Sequence, residues 1–191
     1  KSLNQALADG VKRVTRLLNQ MRFLARDERS EAAAFPIESL LEESYQEARK
    51  HLPAENSQWE FEATAGSKPI MIKGDRTSLK HAFAEIMLNA LQANLKEPKV
   101  RARLQIVSDK LNAQNLQIEI EDNGEGFTPE AAQKAPAPFY TTRNVGLGLG
   151  LTVSRKTIGS HRGRLEIPPP RAGSHGVVRV LLPVDAPPPP A

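Results

Sequence analysis

Three clusters in the second half of the chain hold the residue types that a nucleoside triphosphate would require. Glu85 and Asn89 lie four apart in Glu85-Ile86-Met87-Leu88-Asn89-Ala90, inside a helical run, so their side chains share one face. The amide oxygen of Asn89 is a hard donor suited to Mg²⁺, which takes few protein oxygens and completes its shell with water and phosphate. A carboxylate one turn earlier, Glu85, can polarise a water or another attacking group. Glu and Asn at this spacing also occur on solvated helix faces, so the pair acquires weight only from the two clusters that follow.

The second cluster is Asp122-Asn123-Gly124-Glu125-Gly126-Phe127, directly after an alternating strand. By alternation Asp122 points the same way as Leu116, Ile118 and Ile120, toward the core. A carboxylate there needs a donor. The exocyclic amine of adenine is one, and the backbone of an Asx turn is the other. Gly124 and Gly126 permit close approach to a flat base or a reversal of the chain.

The third cluster runs from Phe139-Tyr140-Thr141-Thr142-Arg143 into Gly146-Leu147-Gly148-Leu149-Gly150-Leu151, which opens a helix. Glycines at a helix start let backbone N–H groups reach phosphate oxygens, and the helix dipole adds positive potential. The spacing is neither a Gly-Lys-Ser/Thr phosphate loop nor an ordinary dinucleotide fingerprint. Thr141, Thr142 and Arg143 offer hydroxyls and a positive charge for a terminal phosphate. The regularly placed leucines argue against a mere flexible linker.

The surrounding pattern supplies the elements that must position these groups. Leu3, Leu7, Val11, Val14, Leu18, Met21 and Ala25 recur at steps of three and four, predicting an amphipathic helix with a coiled-coil or bundle seam. Such a stripe needs a partner, either the body of the same chain or, as we favour, a second subunit. Residues 28–34 read as a linker. A helix is expected over 39–52, short strands at 59–62 and 70–72, and Asp75 as the N-cap of a long helix over 79–95. Residues 100–106 and 116–120 alternate with period two and predict a hairpin. Residues 124–149 predict a long functional loop. A helix over 150–158 and closing strands at 164–167 and 177–182 follow. Residues 185–191 form a Pro-rich tail. The expected fold class is an α/β (α+β) two-layer sandwich, one mixed sheet with helices on one face, preceded by the long N-terminal helix.

Composition excludes several classes. Aromatics are 5% of the 191 residues and the net charge of +4 comes from interleaved signs, so no basic, aromatic-rich patch for nucleic acid is present. Cysteine is absent, which removes disulfides and thiolate zinc sites. No apolar run reaches membrane-spanning length, so a membrane is expected only through segments outside this chain. A cytoplasmic location is expected.

On these motifs the chain resembles the ATP-binding fold shared by sensor histidine kinases, type II topoisomerases, Hsp90-type chaperones and mismatch-repair ATPases, the Bergerat fold. The three clusters correspond to its N, G1, F and G2 boxes, and the resemblance covers residues 35–184. Pro138-Phe139-Tyr140-Thr141-Thr142-Arg143 followed by Gly-Leu-Gly-Leu-Gly-Leu looks most like a two-component sensor histidine kinase, and Asn89-Ala90-Leu91-Gln92-Ala93 is similar to its nitrogen-regulation-type branch. Residues 1–27 then resemble the second helix of the dimerisation and phosphotransfer hairpin. The resemblance implies ATP and Mg²⁺ as cofactors, with Asn89 holding the metal and Asp122 binding the adenine amine. It implies that Gly124 and Gly126 shape the base pocket and that Phe139 anchors a lid. Arg143 would meet the terminal phosphate beside Thr141 and Thr142, and the run Gly146, Leu147, Gly148, Leu149, Gly150, Leu151 would wrap the phosphates. It also implies a homodimer through the N-terminal helix and a response regulator as partner.

Two departures stand out. Position 85 is Glu where many sensor kinases have Asn, which matches the general base of the ATP-hydrolysing relatives. His161-Arg162-Gly163 replaces a usual His-Gly-Gly and affects a local turn. His51, His81, His161 and His175 are followed by Leu, Ala, Arg and Gly, whereas the family's phosphoacceptor is usually followed by an acidic residue. The acceptor is therefore expected to be absent from this chain. Three functions compete: a histidine-kinase catalytic domain, a hydrolytic ATPase using Glu85, and a nucleotide-free dimerisation or interaction module.

Overall fold

The computed structural model describes residues 32–52, 56–63, 69–108, 114–135, 148–170 and 173–184, together with helical positions 7, 10, 11, 14, 15, 18 and 20–22. In chain order the elements are β1 (Ala33–Pro36), α1 (Ile37–Arg49), β2 (Gln58–Ala63), β3 (Met71–Gly74), α2 (Arg76–Leu91), β4 (Lys99–Ser108), β5 (Gln114–Asp122), α3 (Pro129–Lys134), α4 (Gly150–Ser160), β6 (Arg164–Glu166) and β7 (Val177–Pro183).

Period-two alternation builds the main sheet. Its order is β2-β4-β5-β7-β6, with β2 and β4 parallel and the other pairs antiparallel. Val100, Ala102 and Leu104, then Leu116, Ile118 and Ile120, then Val178, Val180 and Leu182 all turn inward and are buried. They share one core with Leu40, Leu41, Phe83, Ile86 and Met87 of the helices. The opposite face carries charges in register: Glu60 faces Arg101, Glu62 faces Arg103, and Glu119 faces Arg179. The corresponding N···O distances are 2.7, 3.2 and 2.8 Å. Opposite charges directly across a ladder stabilise it and mark this face as the solvated one. The two-layer α/β arrangement expected from the sequence is present.

The central helix is α2. Asp75 caps it as expected, accepting hydrogen bonds from the N–H groups of Thr77 (3.0 Å) and Ser78 (3.1 Å). Buried residues surround α2 rather than forming one stripe, because α1 and α4 flank it. Two buried serines pin it from either side. Ser44 donates to the Lys80 carbonyl (3.1 Å) and Ser154 to the Ala82 carbonyl (2.8 Å). The helix stops at Leu91, four residues before the expected end. Just beyond, Asn94 Oδ1 accepts from the N–H groups of Lys96 (3.2 Å) and Glu97 (3.3 Å), a local turn that competes with further helix.

Other boundaries also move. Residues 33 and 34, expected in a linker, belong to β1, which pairs antiparallel with β3 and sets Phe35 opposite Ile72, both buried. The strands expected at 59–62 and 70–72 therefore do not pair with each other. The stretch expected as a continuous loop contains α3, where Thr128 caps through Oγ1 to the Ala131 N–H (3.1 Å) and Pro129 opens the first turn. Of the N-terminal seam, Leu7, Val11, Val14, Leu18 and Met21 are 54–65% exposed, so these residues do not pack on the body of the chain. Among the described residues no helix is long and apolar enough to cross a membrane.

Candidate nucleotide-binding site

Helix α2 runs along one side of the site. Glu85 and Asn89 lie one turn apart on it, and Ala93 follows in the turn just past its end at Leu91. Each end of this row meets a different cluster. At the first end, Glu85 is buried at 6% exposure. A Cβ placed on Gly150 would lie only 2.7 Å from its Oε2, so the carboxylate sits against the first residue of α4. The same oxygen accepts a hydrogen bond from Gln20 Nε2 at 2.9 Å. At the second end, a Cβ on Gly124 would meet the Ala93 Cβ at 2.7 Å, so the turn after β5 packs directly on the end of α2. Asn89, half-buried, stands between the two.

The start of α4 has the form of an anion-binding helix end. Its N-cap is Leu149, and no side chain caps the first turn. The orphan N–H groups of a helix start are the usual partners of phosphate oxygens. Gly148 adopts φ +65°, a conformation that glycine takes without strain. Leu149 and Leu151 are 4% and 6% exposed and belong to the interior. Glycine and leucine thus alternate between site and core, and this segment can meet a ligand only through its backbone.

Asp122 is held by backbone at the other end. Its Oδ1 accepts from the Gly124 N–H (2.8 Å), the Asx turn weighed against adenine recognition, and also from the Gly176 N–H (3.2 Å). The Asp122 N–H donates to the Gly176 carbonyl at 2.9 Å. His175 Nδ1 lies 3.0 Å from the Gly124 carbonyl and must carry the proton there, since a carbonyl only accepts. Gly126 has φ +79°, and a Cβ on it would collide with the Ser174 carbonyl. Residues 174–176, ahead of β7, therefore close over the turn after β5 and fix the carboxylate. A ligand donor and the Asx turn need not exclude each other, because a carboxylate has several acceptor positions.

The structure thus brings together Glu85, Asn89, Asp122, Gly124, Gly126, Gly148, Leu149, Gly150 and Leu151. Phe139, Thr141, Thr142, Arg143, Gly146 and Leu147 lie outside the described residues. Gly176, His175 and Gln20 were not foreseen. A glycine pair in the turn at 173–176 was the only sequence signal for the first two, and nothing local marked Gln20 among the polar residues of its helix. Asn123, within the same motif, is structural: it bonds the Lys99 N–H (3.1 Å) and the Glu97 carbonyl (2.8 Å).

His161 is the C-cap of α4. Its Nδ1 donates to the Thr157 carbonyl (2.7 Å) and its Nε2 accepts from the Asp75 N–H (2.9 Å), tying the end of α4 to the start of α2. The substituted turn places Arg162 at φ +58°, a left-handed position that glycine would occupy more easily. For a metal, no group of three or more His, Cys, Asp or Glu is available among the described residues. A cation beside Asn89 would take most of its shell from phosphate and water, a donor set that fits Mg²⁺.

The chain is similar to known proteins over most of its length. Residues 74–186 match the family described as histidine kinase-, DNA gyrase B-, and HSP90-like ATPase. Sporulation kinase B of Bacillus subtilis (strain 168) is 38% identical over 96 residues, covering 50% of this chain and 22% of that protein. The sensor protein FixL of Bradyrhizobium diazoefficiens is 26% identical over 159 residues, covering 83% of this chain and 30% of that protein. The chain therefore spans less than a third of the length of either relative. Among solved structures, the catalytic domain of histidine kinase ThkA aligns with a TM-score of 0.67 at 23% identity, over 81% of this chain and 97% of that one. The chain belongs to the histidine kinase-, DNA gyrase B- and HSP90-like ATPase family, and what it carries is the ATP-binding catalytic domain of a sensor histidine kinase.

Proposed function

We propose that this domain presents ATP for transfer of its γ-phosphoryl group to a histidine outside the chain, for relay to a response regulator. The observation that carries the reading is the pairing along α2 of a carboxylate cage at one end with an uncapped, glycine-bearing helix start at the other. Asp122 would accept from the adenine amine, with Gly124 and Gly126 leaving room for the base. The backbone of residues 148–151 would hold phosphate oxygens at the start of α4. Asn89 would hold Mg²⁺, which when bound neutralises phosphate charge. Positioning and charge stabilisation then supply most of the catalysis. Arg143, with Thr141, Thr142, Gly146 and Leu147, would complete the phosphate side, and Phe139 would anchor the lid. The exposed seam of Leu7, Val11, Val14, Leu18 and Met21 supports a homodimer through the N-terminal helix in the intact protein. The location is proposed as cytoplasmic, with any membrane contact made by other segments.

A second reading, hydrolysis with Glu85 as the base, is favoured by the burial of Glu85 beside Gly150. The two readings share the nucleotide site and differ in product. Calorimetric titration with ATP and GTP tests the shared part. Guanine presents a carbonyl where adenine presents its amine, so GTP should bind about tenfold more weakly or worse, the effect of one lost hydrogen bond to a charged group. Equal affinities would remove the adenine-reading role from Asp122.

A further inference from the structure

Gly124 is held on both sides of its α-carbon. Its N–H donates to Asp122 Oδ1 (2.8 Å), and its carbonyl accepts from His175 Nδ1 (3.0 Å). The first bond fixes the peptide plane before the residue and the second fixes the plane after it. Together they set both backbone dihedrals of a residue type that is otherwise the least restrained. His175 lies 51 positions away. It stands in the segment whose Gly176 N–H donates to the same Asp122 oxygen at 3.2 Å. Packing leaves the turn little room on its other side, where a Cβ on Gly124 would lie 2.7 Å from the Ala93 Cβ. His175 is exposed and stands outside the hydrophobic core, so its side chain acts on the turn and not on the interior.

We propose that His175 is a positioning residue for recognition of the adenine amine: its Nδ1–H pins the Gly124 peptide, and the pinned peptide keeps the Asp122 carboxylate in the orientation that meets the base. Without the imidazole the peptides around Gly124 can turn. The carboxylate then loses, part of the time, one of the two backbone donors that orient it. The effect falls on the base end of the site alone, because the phosphate end is built at the start of α4 and shares no element with residues 174–176. This rests on the reading of Asp122 as the acceptor for the adenine amine, and adds a residue that sets how sharply the amine is recognised.

Calorimetry of the whole chain with ATP and with purine riboside triphosphate, the analogue that lacks only the exocyclic amine, tests this role in wild type, His175→Ala, His175→Asn and His175→Gln. An Asn amide nitrogen can stand where Nδ1 stands, whereas the longer Gln sets its amide nearer the place of Nε2. Thermal melts establish that each variant is folded. The expected result is a wild-type preference for ATP over the analogue that shrinks about fivefold in His175→Ala, the worth of one neutral hydrogen bond. His175→Asn should keep the preference, His175→Gln should lose it as His175→Ala does, and the analogue should bind all four forms alike. General loosening of the fold would weaken both ligands and leave their ratio unchanged. An undiminished ATP preference in His175→Ala overturns the proposal, as does equal weakening of both ligands or an Asn variant no better than the Ala one. Absence of any preference in the wild type removes the adenine reading of Asp122, and with it this role of His175.

Discussion

The Asp122 carboxylate depends on groups far apart in sequence. Two backbone N–H groups, from Gly124 and Gly176, converge on Oδ1, and a Cβ at position 176 would come within 3.1 Å of that oxygen. Asp122→Asn keeps the shape but replaces an acceptor-only group with one that can present a donor to the adenine amine. Losing that charge-assisted hydrogen bond should cost about 1.5–3 kcal/mol of ATP affinity, measured by calorimetry, with the melting temperature changed far less. Asp122 was legible because alternation along β5 fixes which face a residue joins. Gly176 was not, since its role exists only after β7 has paired with β5. The contact from Gln20 was equally hidden, because no local pattern reports a partner 65 positions away.

At the scale of elements, the site is a property of α2 and of what it touches. Its start is held by the Asp75 cap, its flanks by Ser44 and Ser154, and its end by the turn at Asn94. Asp75→Ala should lower stability by about 1 kcal/mol, the usual value of a lost N-cap, read as a shift in the denaturation midpoint. The cap was foreseen because Asp ahead of an apolar run is a local signal. The early end of α2 and the presence of α3 were not, because short turns and single-turn helices are decided by one or two side-chain bonds, those of Asn94 and Thr128. The leucines of the glycine-rich segment were foreseen as more than a linker, and Leu149 and Leu151 are indeed core residues.

Across the whole molecule, charge is arranged on the outer face of the sheet. Hydrogen bonds from Lys99 and then Arg101 hold the Glu60 carboxyl below its ordinary value of 4.5. A depressed carboxylate stabilises the fold above the unfolded value, and that contribution is lost as pH falls through the lower folded one. Stability should therefore decline on acidification below about pH 4.5, where such paired carboxylates become protonated. Glu60→Gln should make the decline shallower in melts recorded between neutral and acid pH. An unchanged acid slope would show that the ladder contributes nothing to it.

Phosphoryl transfer itself is tested by supplying an acceptor histidine. The chain, extended before Lys1 by a hairpin helix that carries a histidine followed by an acidic residue, is incubated with Mg²⁺ and γ-labelled ATP. Transfer requires that nucleophile in line with the γ-phosphate at near-contact distance. The expected result is alkali-stable, acid-labile label on the extended protein, absent from the unextended chain and from the extended Asn89→Ala variant. Release of free phosphate without protein label, prevented by Glu85→Gln, would contradict the kinase reading and establish a hydrolase in its place.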